Sequence, residues 1–123
     1  MALTKHAILS AADCAPQCVN VPEWGGDIYL RPMSGSARAK FEAIYKRADK
    51  SGDRSGVRGY VLCHTICNAD SELLFTESDI EAIEEKNGDV LDRLIEHAMK
   101  VSGLGGDDEN PLPETNPDSS GTG

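Results

Sequence analysis

Two cysteines, Cys63 and Cys67, bracket His64 in the stretch CHTIC, and a second pair with the same spacing, Cys14 and Cys18, lies in CAPQC. Thiolates and imidazole are zinc ligands, and paired thiols can cycle through a disulfide. The pattern disfavours both uses. CxxxC is not the CxxC of a zinc knuckle. If residues 56–68 form a helix, Tyr60, Leu62, Cys63, Ile66 and Cys67 share one apolar arc at about 100° per residue. Arg58 and Thr65 then lie opposite, with His64 and Asn68 towards the polar side, so His64 points away from the thiols. Cysteine is also a small hydrophobe and among the most buried residue types. Cys63 and Cys67 are therefore read as core residues. A zinc site built from Cys14, Cys18, Cys63 and Cys67 remains as the alternative.

The other chemistry-bearing side chains form no constellation. The sequence contains no GxSxG, no HExxH and no phosphate-binding glycine loop. The GGD stretch at 25–27 is too short to cradle a nucleotide and suits a hairpin turn. The acidic run ESDIEAIEE lacks the alternating Asp/Asn ligands and central glycine of a calcium loop, so it reads as a solvated helix face. His6 and His97 fall on expected helices as surface or boundary residues. Trp24, the single tryptophan, is either the lid of a small core or an exposed contact residue. No catalytic, cofactor or metal residues are assigned, and the chain is read as a binding protein, not an enzyme.

The elements around these residues follow from patterning. Thr4 can cap a short helix over KHAILSAA, with Ile8 and Leu9 turned inward. Cys18, Val19 and Val21 lead through PEWGG into DIYLR, which predicts a β-hairpin ended by Pro32. Ser34 can cap a helix over about 35–48, whose Ala37, Phe41, Ile44 and Ala48 make a stripe. A loop follows in DKSGDRSG, then the helix at 56–68. Thr76 and Asp79 form a capping-box pattern, with Phe75 and Ile80 as a hydrophobic staple, opening a helix at 76–86. Asn87 and Gly88 stop it. A last helix, 89–102, carries Val90, Leu91, Leu94, Ile95, Ala98 and Val101 on its apolar side. Gly103 ends it, and Leu104 can fold back onto Met99. The fold class is α+β and mainly helical: a short N-terminal helix and β-hairpin, then a small bundle of about four helices.

The chain has 123 residues, of which 39% are hydrophobic and 27% charged, enough for one folded unit with a modest core. Its formal net charge is −9, which disfavours nucleic acid and anionic membrane as partners. No apolar run is long enough for a membrane span, and the first residues lack the pattern of a secretory signal, so a cytosolic, thiol-reducing setting is expected. Residues 106–123 are rich in Gly, Pro, Ser and acids, and read as a disordered acidic tail after a folded unit at 1–105.

Three stretches, LTKHAILSAAD, VNVPEWGGDIYLRPMSGSARAKFEA and LLFTESDIEAIEEKNGDVLDRLIEHAMKVSGLG, resemble the tail assembly chaperones of bacteriophages and prophages with long non-contractile tails. The most specific pieces are VPEWGG at Val21–Gly26, the segment Leu30–Gly35, and LFTxxDI at Leu74–Ile80. The family pattern often carries glycine in the turn before the LF segment, where this chain has Ser71. It often carries an acidic pair after the first helix cap, where this chain has Ala39 and Lys40. The four cysteines are no part of the pattern.

The resemblance implies a protein that works in the host cytoplasm, binds the tape measure protein, and keeps it soluble while tail tube protein polymerises around it. It further implies absence from the finished virion, and often a longer frameshifted form. The tail tube protein is a second implied partner. Many small copies on one long partner would favour self-association. The candidate contact residues are Trp24, Ile80, Ile83, Leu91, Leu94 and Ile95. The zinc alternative would make the chain a small zinc-stabilised cytosolic adaptor or regulator.

Overall fold

The computed structural model describes residues 2–104. The expected disordered acidic tail at 106–123 lies outside them. The chain begins with helix α1 (Lys5–Ser10), capped by the Thr4 hydroxyl, which accepts from the Ala7 amide at 3.1 Å. The expected inward turn of its apolar residues is corrected: Leu3, Ile8 and Leu9 are 71%, 56% and 75% exposed, and no residue of α1 is buried. The interior is filled by later elements, with no residue of the six-residue helix among the core.

The hairpin forms as expected. Strands β1 (Gln17–Val21) and β2 (Gly26–Leu30) pair antiparallel, joined by a short 3-10 turn at Pro22–Trp24. Gly25 closes the turn at φ 80°, a left-handed conformation that glycine adopts without steric cost.

Helix α2 (Gly35–Ser51) starts at the Ser34 cap and runs three residues further than its apolar stripe suggested, ending at Gly52. Helix α3 (Val57–Cys63) is shorter than the sequence suggested. The expected helix over 56–68 stops at Cys63, and strand β3 (Ile66–Cys67) adds to the hairpin through Tyr29↔Cys67 and Leu30↔Ile66. The Thr65 hydroxyl donates to the Val61 carbonyl at 2.8 Å, while the Thr65 carbonyl accepts the Arg31 amide at 2.8 Å. A satisfied hydroxyl at a β-branched residue lets the chain leave the helix inside the protein. Thr65 is thus fully buried rather than on a polar face. The segment then reverses at Ser71, at φ 68°, whose hydroxyl donates to the Cys14 carbonyl.

The capping box forms: Thr76 and Asp79 exchange hydrogen bonds around a 3-10 turn at Glu77–Asp79 that leads into α4 (Ile80–Glu84). Asn87 does more than stop this helix. Its side-chain oxygen accepts the amides of Asp89 and Val90 at 2.9 and 3.2 Å, so it caps α5 (Gly88–Val101). Gly103 at φ 78° ends α5, and the Leu104 amide donates back to the Met99 carbonyl at 2.7 Å.

One core joins the sheet to α2, α3, α4 and α5, with Val21, Leu30, Leu62, Leu91 and Leu94 at its centre, each 2% exposed or less. Helix α3 lies in the middle. Its start is held by Glu84 of α4, whose carboxylate accepts the amides of Gly56 and Gly59 at 3.2 and 2.6 Å. A Cβ on Gly59 would stand 2.7 Å from Ile80 Cγ2 and 2.8 Å from the Ile80 carbonyl oxygen. The variant Gly59→Ala is therefore expected to lose about 2–3 kcal/mol, because a backbone carbonyl cannot rotate away as a side chain can. Chemical denaturation checks this; an unchanged midpoint would mean that α4 shifts freely.

Candidate partner-binding surface

An open apolar groove of about 210 Å³ runs between α2, α3 and α5. Phe41 and Val61 form its buried floor, while Tyr45 stands 45% exposed at the rim. The two aromatic rings stack at 5.8 Å, and the Arg54 guanidinium lies 5.4 Å from the Tyr45 ring centre. Ile95 and Met99 complete the apolar wall, and Arg58 and Asp92 form a 2.6 Å ion pair at the rim. Hydrogen bonding from Asp92 raises the Arg58 pKa further above its already high value. The groove offers apolar area to one segment of a partner, with guanidinium groups at its edge.

The hairpin loop forms a second exposed feature. Trp24 is 36% exposed, with the Lys86 ammonium 5.6 Å from its ring centre. The loop is anchored to α5 by Glu23, which accepts two hydrogen bonds from the Arg93 guanidinium at 2.7 and 2.8 Å. Those bonds hold the Glu23 carboxyl down to about pKa 2. The third feature is the N-terminal segment, where Leu3 and the α1 residues Ile8 and Leu9 stand in solvent, and Leu74 is likewise 56% exposed.

The residues expected as contacts divide in two. Ile83, Leu91 and Leu94 are 6%, 2% and 0% exposed, and present no surface to a partner in this fold. Their stripes face α3 and the sheet. Ile80 and Ile95 are partly buried against the core and, with Trp24, retain accessible surface. Of the groove residues, the sequence reads Phe41 only as part of an apolar stripe and Met99 only as a neighbour of Leu104, and Tyr45 and Val57 not at all; none is among the expected contacts. Tyr45 gave the only signal: a large ring beside Phe41 but off the Ala37–Phe41–Ile44–Ala48 stripe. The exposure of Ile8 and Leu9 had none, because an apolar pair beside alanines reads equally well as inward.

The thiols separate. Cys63 and Cys67 are each 1% exposed, as expected for core residues, although one sits on a helix and the other on a strand. Burial pushes the Cys63 thiol up to about 11, with Glu77 adding to the rise, and burial also raises Cys67. Cys18 is exposed and Cys14 half-buried. His64 turns to Glu77, with 2.9 Å between Nε2 and the carboxylate, and packs on Tyr60. Among the described residues, no group of three or more His, Cys, Asp or Glu side chains is placed to hold a metal, so the four-thiol set is not brought together. Nor is any described helix long and apolar enough to cross a membrane.

A family model described as "phage tail assembly chaperone" matches residues 3–115. Among solved structures, the tail assembly chaperone of bacteriophage HK97 matches with a TM-score of 0.59 at 25% identity, over 76% of this chain and 88% of that one. No curated protein matches.

Two measurements probe this geometry. In native protein, Cys63 and Cys67 should react with a thiol reagent about a hundredfold or more slower than in denaturant, while exposed Cys18 reacts at once. Equal native and denatured rates at Cys63 would contradict its burial. The second concerns acid. Because Glu23 has a depressed folded pKa, its contribution is fully present above the unfolded value of about 4.3 and is lost as pH falls through about 2. Arg93→Ala should therefore lower the thermal midpoint above pH 5 and leave it close to the parent's near pH 2. A constant gap across that window would rule out the ion pair as the source.

Proposed function

The chain belongs to the phage tail assembly chaperone family, and from that premise we propose that it binds and solubilises the tape measure protein during tail morphogenesis, in the host cytoplasm and outside the mature virion. The observation that carries this reading is the apolar surface that the folded chain leaves uncovered. Leu3, Ile8 and Leu9 are more than half exposed although the core is complete without them. A six-residue helix with no buried face is too short to be stable in isolation, so covering it with a partner offsets the entropy of ordering it. A long helical partner with apolar stripes supplies that cover, through contacts of the helix-in-groove kind.

In this reading α1 and the α2–α3–α5 groove make the main contact. Trp24, Ile80 and Ile95 add to it, while Ile83, Leu91 and Leu94 hold the surface in place from behind. The net charge of −9 keeps the complex in solution by mutual repulsion. The tail tube protein and further copies of the chain are secondary partners. The work is binding and not catalysis.

Co-expression with the phage's tape measure protein, followed by a solubility assay and pull-down, tests the proposal. The tape measure protein should be soluble and recovered with this chain, and insoluble alone. The double variant Ile8→Ser/Leu9→Ser should reduce recovery about tenfold or more, equivalent to at least about 1.4 kcal/mol, with the thermal midpoint unchanged because both side chains are exposed. Equal solubility with and without this chain, and no recovered complex, would refute the function. Full binding by the double variant would remove α1 from the contact.

A further inference from the structure

We propose, on the reading that the tape measure protein covers α1, that the pocket around Arg31 takes the carboxylate of an Asp or Glu side chain from the covering segment. The partner then needs more than an apolar stripe: it needs an acidic residue between apolar ones.

An open pocket of about 390 Å³ lies between the link from α1 to β1 and the turn after β3. Ala11, Ala12, Ala15 and Ala69 give it small walls, and Arg31, the residue after β2, lines it. The Arg31 Nη1 donates to the Ser71 carbonyl at 2.7 Å. Its Nε is the one buried side-chain nitrogen or oxygen without a hydrogen-bond partner among the described residues. No described carboxylate lies within 4.0 Å of this guanidinium, in contrast to those of Arg38, Arg54, Arg58 and Arg93. A cation partly shielded from water attracts a carboxylate more strongly than an exposed one. A guanidinium has five N–H donors, and Ser71 occupies only one of them. The others leave room for a charge-assisted pair.

The neighbours narrow the ligand. Asp13 and Asp70 also line the pocket. A single carboxylate brings one charge against them, whereas a phosphate brings nearly two, so phosphates and runs of acids are disfavoured. Uncovered apolar residues stand on both sides. Leu9, two residues before Ala11, is 75% exposed; Leu73 and Leu74, just after Ser71, are 36% and 56% exposed. At no more than about 3.8 Å per residue, each lies within about 11 Å of the pocket lining. A free small carboxylate could enter the pocket but would cover neither flank. A protein segment with an acidic side chain between apolar ones does both, and the charge fixes its register on α1.

The test repeats the co-expression and pull-down with the full chain. Ala69→Glu places a carboxylate of the chain's own at the pocket and should lower recovery of the tape measure protein about tenfold. Ala69→Gln, of equal size without the charge, should leave it within about twofold. Ala69 is exposed, so both variants should keep the parent's thermal midpoint. Arg31→Gln should also lower recovery, and Asp13→Asn/Asp70→Asn should raise it. Equal recovery with Ala69→Glu and Ala69→Gln, while the unmodified chain still binds, would overturn the carboxylate site and leave the chaperone function standing. No complex with the unmodified chain would overturn both. A lower midpoint with unchanged recovery in Asp13→Asn/Asp70→Asn would mean that the chain supplies its own counter-ion to Arg31, which also overturns the site. So would a change in the oligomeric mass of the partner-free chain caused by Ala69→Glu, because the carboxylate would then come from a second copy.

Discussion

The contact between Gly59 and α4 is the constraint on which the rest of the structure depends. Helix α3 is seven residues long, and five of them are buried, so it contributes almost no polar face and cannot persist without neighbours on every side. Glu84 reaches across to accept two amides at its start, where a helix leaves its first N–H groups without internal partners. That carboxylate is in range only because residue 59 has no side chain between α3 and the Ile80 backbone. The same approach sets α4 against the core and brings the 3-10 turn at Glu77 close enough for His64 to pair with it.

Placing α3 at the centre also decides which apolar surface remains for other work. The stripes of α4 and α5 turn towards it, so Ile83, Leu91 and Leu94 are consumed by the fold. What is left lies at the margins: α1, the Tyr45 rim, the hairpin tryptophan and Leu74. Scattered exposed apolar residues are ordinary on a folded protein. A whole helix with none of its residues buried is not, and the proposed function would use it as a contact for the partner. On the proposed function, acidic charge would keep a complex dispersed and apolar contact would hold it together.

Departures from the family pattern acquire physical meaning in the structure. Ser71, where the resemblance led to an expectation of glycine, has a left-handed backbone at φ 68°. A serine accepts that strain here because its hydroxyl bonds the Cys14 carbonyl and its own carbonyl takes the Arg31 guanidinium at 2.7 Å, pinning the segment before β1 to the turn after β3. Ala39 and Lys40, where the resemblance led to an expectation of an acidic pair, stand exposed on α2 and are not part of the core.

Local patterns were enough to read much of this protein. Thr4, Ser34 and the Thr76–Asp79 box marked helix starts, because a cap is a contact between residues three apart and is written in adjacent sequence. The hairpin, the Gly103 stop and the burial of Cys63 followed from turn chemistry and periodicity, and the ordered motifs identified the family; Cys67 is buried as expected, but on a strand and not on the helical arc from which its burial was read. Decisions that depend on distant residues were not legible. Whether Ile66 and Cys67 continue a helix or join a sheet turned on the free edge of β2, about 37 residues earlier, since short apolar runs suit either state. Which apolar stripe becomes core and which stays in solvent turned on how many faces α3 could occupy. Periodicity shows that a face is apolar; only the packed structure determines whether another face is left to cover it.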